Sequence, residues 1–203
     1  MTPFFRAAVL ALPFFAAGCA SLSPVAPARP EAGTVRAYQQ AIDISGRLSV
    51  RYQQNGRDEA LHGSFEWRQR PERTELTLLS PLGQTLALID ITPAGSTLTQ
   101  AGQAPVSATD VDALAAETLG WPLPVSGLRE WLQGYGTGRA GKRFVATPED
   151  EDADIVTADG WRIRYAAWDT ASAPRPRRID LQRSTMQAGE VALRLVIDAY
   201  QPH

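Results

Sequence analysis

The chain has 203 residues, enough for one domain of ordinary size with a sizeable core. Its 20 Lys and Arg against 22 Asp and Glu give a formal charge of −2, without the basic surplus of a nucleic-acid binder, and 44% hydrophobic with 21% charged residues excludes bulk disorder. A single cysteine excludes an intrachain disulfide and a cysteine-rich metal site, and two histidines, His62 and His203, exclude a three-histidine zinc centre.

Residues 1–18 read as an export leader. Met1 to Arg6 carries the positive charge of an n-region, and Ala7 to Ala17 is uncharged and rich in Phe, Leu and Ala. That run is too short to span a bilayer as a helix. It ends in Ala16-Ala17-Gly18-Cys19, which resembles a bacterial lipobox with Ala16 where such boxes usually carry Leu. The alternative is a plain secretory signal with a chance cysteine, but cleavage before Cys19 and acylation of its sulfur explain why the only cysteine stands here, since a free thiol is an odd leftover in an oxidising periplasm. Residues 19–35 then form a lipidated N-terminus and tether. Pro24, Pro27 and Pro30 deny it a helix or a ladder, so it reads as an extended spacer. The absence of Asp after Cys19 resembles the sorting pattern of the outer membrane. The folded domain is expected over residues 36–203.

The domain begins in strand periodicity. Ile42, Ile44, Leu48, Val50 and Tyr52 share one phase with Gly46, and Leu61, Gly63, Phe65 and Trp67 repeat it after a loop at Gln53-Gln54-Asn55-Gly56. A glycine on the apolar face of each strand predicts a bend or close approach there. Thr74–Ser80 and Thr85–Thr92 form a second pair, and Ser96–Ala101 a further strand. Residues 105 to 134 leave this rhythm. Val111, Leu114, Ala115, Thr118 and Leu119 predict a helix with one apolar face, capped by Thr109 and stopped by Gly120. Pro122 and Pro124 prevent continuation, and a second helix is expected over Ser126–Gln133, ended by Gly134. Strands resume at Arg143–Thr147, then at Asp154–Ala158 and Trp161–Trp168 around the hairpin dipeptide Asp159-Gly160. Arg177–Arg183 and Glu190–Tyr200 close the chain. Ten or eleven sequential antiparallel strands make a sheet too large to stay flat.

Little in this pattern points to catalysis. The acidic run Glu149-Asp150-Glu151-Asp152 with Asp154 lacks the spaced ligands and turn glycine of a calcium loop and reads as a solvated surface loop. His62 has no nucleophile motif beside it, and strand alternation sets it opposite Leu61 and Gly63. Phosphate-loop, dinucleotide-binding and hydrolase signatures are absent. The apolar strand faces either fill a closed core or line a cavity for an apolar ligand, and periodicity does not separate the two. The turn Ser80-Pro81-Leu82-Gly83-Gln84 places Leu at its centre, where polar residues are usual. Leu82 either folds back into the core or is presented to lipid on a stiff loop.

The fragments Gly46-Arg47-Leu48-Ser49-Val50, Gly63-Ser64-Phe65-Glu66-Trp67, Leu79-Ser80-Pro81-Leu82-Gly83, Leu119-Gly120-Trp121-Pro122-Leu123-Pro124-Val125, Leu128-Arg129-Glu130-Trp131-Leu132-Gln133-Gly134, Asp159-Gly160-Trp161 and Leu193–Tyr200, in this order behind a lipobox, resemble the LolB family of outer-membrane lipoprotein receptors. The resemblance implies a mainly β fold, an incomplete, unclosed antiparallel β-barrel with helices as a lid over an apolar cavity. It implies that the protein takes lipoproteins from a LolA-like periplasmic carrier and inserts them into the inner leaflet of the outer membrane. It places a membrane-inserting loop at Pro81, Leu82 and Gly83. On this reading Leu48, Val50, Phe65, Trp67, Leu76, Trp161, Ile163, Leu193 and Leu195 line the acyl cavity, with Leu128, Trp131 and Leu132 from the lid. The expected protein is a periplasm-facing, non-enzymatic monomer. It needs no cofactor beyond the acyl and diacylglycerol groups on Cys19. The alternatives are another acyl-chain-binding lipoprotein, or a structural outer-membrane lipoprotein with a filled core.

Overall fold

Alternating apolar and polar residues build one large sheet. The computed structural model describes residues 36–150 and 154–203; the leader, Cys19, the tether and residues 151–153 of the acidic run lie outside the described residues. The first wing of the sheet comprises β1 (Ile42–Gln54), β2 (Arg57–Gln69), β3 (Thr74–Leu79), β4 (Thr85–Thr92), β5 (Gly95–Gln100) and β6 (Val106–Ala108). Helices α1 (Val111–Leu119) and α2 (Val125–Trp131) follow, then a separate hairpin of β7 (Tyr135–Thr137) and β8 (Arg143–Val145). The second wing comprises β9 (Ile155–Val156), β10 (Arg162–Trp168), β11 (Pro176–Thr185) and β12 (Gly189–Pro202).

The ten strands of the main sheet run in the order β6-β5-β4-β3-β2-β1-β12-β11-β10-β9, with every neighbouring pair antiparallel. The long strands β1 and β12 join the wings, and β6 and β9 end the sheet, so the barrel is not closed. A twist of about 20° per strand pair carries such a sheet through roughly half a turn from edge to edge. The inward phase is continuous across the join: Leu48 lies opposite Gly63 and Leu195, and Val50 opposite Leu61 and Leu193.

Two glycines allow the curl. A Cβ on Gly46 would fall 2.1 Å from the Val196 carbonyl oxygen, and one on Gly63 would fall 2.1 Å from that of Leu79. Neither position has room for a side chain, as the glycines on the apolar face led one to expect. Gly46 also sits at a break in the β1–β12 register, where a bulge sharpens the local twist.

Several local expectations need correction. The cap of α1 is Asp110, not Thr109; its carboxylate accepts the backbone N–H of Asp112 and of Ala113. Thr109 lies one residue too early for its hydroxyl to take that place. Gly120 does end α1, in the left-handed conformation at φ 81°. The first hairpin has a tight Asn55-Gly56 turn rather than a longer loop, since both residues take positive φ, 53° and 73°, as the favoured two-residue turn demands. Strands β6 and β7 fall in or beside the segment read as helical. Each has three residues, too few to display a period. The described strands therefore number ten in the main sheet with two more in the small hairpin.

Candidate functional site

The helices cover the apolar face of the sheet. Val111, Leu114 and Ala115 of α1 and Val125, Leu128 and Trp131 of α2 are buried in the same cluster as the inward strand residues. All twelve residues expected at the cavity and its lid belong to that cluster, and each is at most 5% exposed: Leu48, Val50, Phe65, Trp67, Leu76, Trp161, Ile163, Leu193 and Leu195 from the sheet, with Leu128, Trp131 and Leu132 from the helical segment. The apolar surface is therefore contiguous and covered. Sequence reading missed further members. Ile42, Ile44, Ile89, Leu98, Ile179 and Leu181 are as deeply buried; Ile42 and Ile44 share the strand phase of Leu48 and Val50, and the other four come from strands of which only the ranges were expected. Trp121 and Tyr165 join them from the interhelical link and from β10.

Polar contacts join the apolar packing in tying α2 down. The turn after it carries Gln133, which is buried and bonded on three sides. Its Oε1 accepts from the Gln39 backbone N–H at 2.8 Å and from the Tyr200 hydroxyl at 3.3 Å, and its Nε2 donates to the Gln39 carbonyl at 3.0 Å. Burial pushes the Tyr200 hydroxyl pKa up to about 12, so it remains a donor at neutral pH. The Arg129 guanidinium reaches across to the β2–β3 turn, donating to Thr74 Oγ1 at 3.0 Å and to the Arg70 carbonyl at 3.2 Å. The Tyr165 hydroxyl donates to the Trp131 carbonyl at 3.2 Å. At the other end of α2, where Pro124 offers no side-chain cap, Asp112 of α1 accepts from the Ser126 backbone N–H at 2.9 Å and from its hydroxyl at 2.5 Å. Burial raises the Asp112 pKa, and the two Ser126 hydrogen bonds oppose that rise.

Arg36, at the start of the described chain, closes this end of the molecule. Its Nε donates to the Gln133 carbonyl at 2.7 Å, Nη1 to Pro174 at 2.9 Å, and Nη2 to Ala146 at 2.7 Å and to Gly134 at 3.2 Å. The guanidinium carbon lies 5.4 Å and 5.1 Å from the ring centroids of Tyr135 and Trp168. Burial lowers its pKa, against the pull of the neighbouring tyrosines and Asp169. Cations are favoured where a helix leaves its last carbonyls unpaired. Nothing in the sequence singles out Arg36, because its partners come from three distant segments.

The remaining feature is the β3–β4 turn. Ser80 accepts the Gly83 N–H on its carbonyl at 2.9 Å, and its Oγ accepts the N–H groups of Leu82 and Gln84 at 3.3 and 3.2 Å. Pro81 presets the backbone, and Gly83 takes φ 79°, which only glycine adopts cheaply. Leu82 at the tip is 87% exposed. Leu82 therefore does not fold back into the core. Elsewhere, His62 is exposed on the outer phase of β2 and pairs in register with Ser49. Asp154 forms ion pairs with Arg162 and Arg164, and among the described residues no acidic or histidine cluster could hold a metal ion.

An unclosed antiparallel sheet curled around a helical cover, with its apolar face shut from solvent and one leucine displayed on a rigid turn, defines an open half-barrel. The family of the outer membrane lipoprotein LolB matches residues 40–200, and the chain belongs to it. The outer-membrane lipoprotein LolB of Cupriavidus necator is 43% identical over 195 residues, covering 95% of this chain and 94% of that protein. The protein of the same name from Chromobacterium violaceum is 31% identical, covering 97% of this chain and 98% of that protein. Among solved structures, a LolA superfamily protein from Nitrosomonas europaea superposes with a TM-score of 0.45 at 12% identity, covering 83% of this chain and 89% of that one.

Proposed function

We propose that this protein is the outer-membrane-anchored receptor that accepts lipoproteins from the periplasmic carrier LolA and inserts them into the inner leaflet of the outer membrane. The observation that carries the reading is the pairing of a contiguous, helix-covered apolar face with the outward leucine of the Ser80–Gln84 turn. The acyl chains of a mature lipoprotein are worth ~0.8 kcal/mol per CH₂ in transfer from water, so their exposure would cost on the order of tens of kcal/mol. A shielded route is therefore required. No nucleotide-binding motif is present in the sequence, so the route runs downhill, from carrier to this protein to bilayer.

In the closed state the apolar face is satisfied by the helices. Cargo enters when α2 and the turn after it move aside and acyl chains replace Leu128, Trp131 and Leu132 against the sheet. The exchange is close to balanced, since one apolar cover replaces another. The barrier then lies in the polar ties at Gln133, Arg129 and Asp112. No covalent chemistry is asked of the protein, and it works as a monomer anchored through acyl and diacylglycerol groups on Cys19. The Pro81-Leu82-Gly83 tip enters the leaflet to open the exit.

The test is transfer of a radiolabelled lipoprotein from its LolA complex to the mature Cys19→Ala protein, which is expected to carry the label in a water-soluble complex. Label that stays with the carrier would overturn the reading and favour a structural lipoprotein with a filled core.

A further inference from the structure

A groove of about 410 Å³ opens at the base of the Leu82 turn, lined by Pro81 and by residues of β1, β2 and β12, chiefly Arg47, His62, Arg194 and Val196. Its charge sets it apart. No carboxylate lines it among the described residues, whereas three other surface grooves carry Glu190, Asp112 and Glu130 respectively; the adjoining groove, which shares Ser49, His62 and Arg194, carries Asp180. Both arginines are well exposed and retain free donors. Arg47 engages Asp198 through Nε and Nη2 at 3.0 and 2.9 Å, and Arg194 engages Asp180 through Nε alone at 2.8 Å. The two-point pairing fixes the Arg47 guanidinium plane, and both arginines leave N–H groups for a further oxyanion.

The groove is also at a defined height relative to the tip. Pro81 belongs both to the groove wall and to the turn that displays Leu82. The polar layer of a bilayer is about 5–8 Å thick on each side. A leucine that reaches the acyl region one residue beyond Pro81 therefore sets this groove among the headgroups. We propose that the groove of Arg47, His62 and Arg194 receives the phosphate of a phospholipid headgroup from the membrane that Leu82 enters. The proposal rests on the membrane-inserting role of Leu82 and adds a ligand to it. Planar guanidinium groups suit a phosphodiester, and an anionic lipid is preferred because no amine sits beside its phosphate.

The experiment uses the mature acylated protein, whose Cys19 sulfur is consumed by the thioether, with Gln84→Cys carrying an environment-sensitive fluorophore and Leu82 intact. The protein is reconstituted into phosphatidylcholine vesicles with or without phosphatidylglycerol. The emission is expected to shift blue in both, and further with phosphatidylglycerol. Arg47→Gln and Arg194→Gln are each expected to lower the ratio of inserted to free tip in anionic vesicles about fivefold. Arg51→Gln, on the same strand but outside the groove, is expected to change it little. Equal shifts in both vesicles, an anionic preference that survives both substitutions, or an equal loss in Arg51→Gln would overturn the proposal and leave the role of Leu82 standing. Absence of any shift would overturn both. Inorganic phosphate at matched ionic strength is expected to leave the preference intact; its abolition by phosphate would assign the groove to a soluble anion and overturn the headgroup assignment.

Discussion

Leu82→Glu separates folding from delivery. The Leu82 side chain is 87% exposed, and the turn holds its shape through Ser80, Pro81 and Gly83 rather than through the leucine, so the substitution is expected to change stability by less than about 0.5 kcal/mol. At the membrane the balance differs. Removing the leucine forfeits about 2 kcal/mol of apolar burial, and pressing a carboxylate into the interface adds about 1 kcal/mol. The sum, about 3 kcal/mol, lowers tip insertion by about two orders of magnitude. The assay follows a radiolabelled lipoprotein from its carrier complex to this protein and then to vesicles. Label is expected to pass to the variant normally and to accumulate there. Vesicle insertion at the unsubstituted rate would show that the tip takes no part in release. Failure to accept label would mean that the turn acts at the carrier-facing step instead.

Three further outcomes follow from the contacts. Gly63→Ala places a methyl 2.1 Å from the Leu79 carbonyl and should cost about 2–3 kcal/mol, read as a fall in Tm of about 5–10 °C; an unchanged Tm would show that the sheet has slack at this bend. Gln133→Leu strands the backbone N–H of Gln39, whose carbonyl keeps the Gln69 Nε2 donor at 3.2 Å, so it should cost about 1–3 kcal/mol and raise uptake of an apolar fluorescent dye as the lid loosens; loss of stability without dye uptake would limit Gln133 to a structural part. Asp112→Asn keeps an acceptor for the Ser126 N–H and removes a charge that burial disfavours. Because the folded pKa of Asp112 lies above its ordinary value, the stability linked to its protonation is present in acid and lost as pH rises through the folded value. The variant is thus expected to match or exceed the unsubstituted protein in Tm at neutral pH, with the difference shrinking toward pH ~4; a markedly lower Tm at neutral pH would show that the ionised carboxylate is needed to cap α2.

Much of the architecture was legible because it rests on local periodicity. The phase of Ile42 through Val50 and of Val191 through Ile197 follows from the two-residue repeat of a strand, and the same repeat assigns nearly every inward residue. The glycines at 46 and 63 announced a bend because only a close neighbour makes a glycine useful on an apolar face. The helix bearing Val111, Leu114 and Ala115 was visible for the same kind of reason, its 3.6-residue stripe. Its cap was misplaced by one residue because Thr109 and Asp110 are both able caps, and only the backbone angles choose between them.

The amino-acid sequence by itself determined which residues face inward, where the chain turns and where glycine is obligatory, since these depend on neighbours a few positions away. Tertiary structure alone decided that β12 returns to pair with β1, that Arg36 gathers carbonyls from residues 133, 134, 146 and 174, and that Asp112 of one helix caps the next. Those contacts join groups far apart in the chain, Arg47 and Asp198 being 151 residues apart, and no local period encodes them. The outward stance of Leu82 belongs with them: proline and glycine make the turn rigid, but only the curl of the sheet beneath it decides whether its tip meets the core or the solvent.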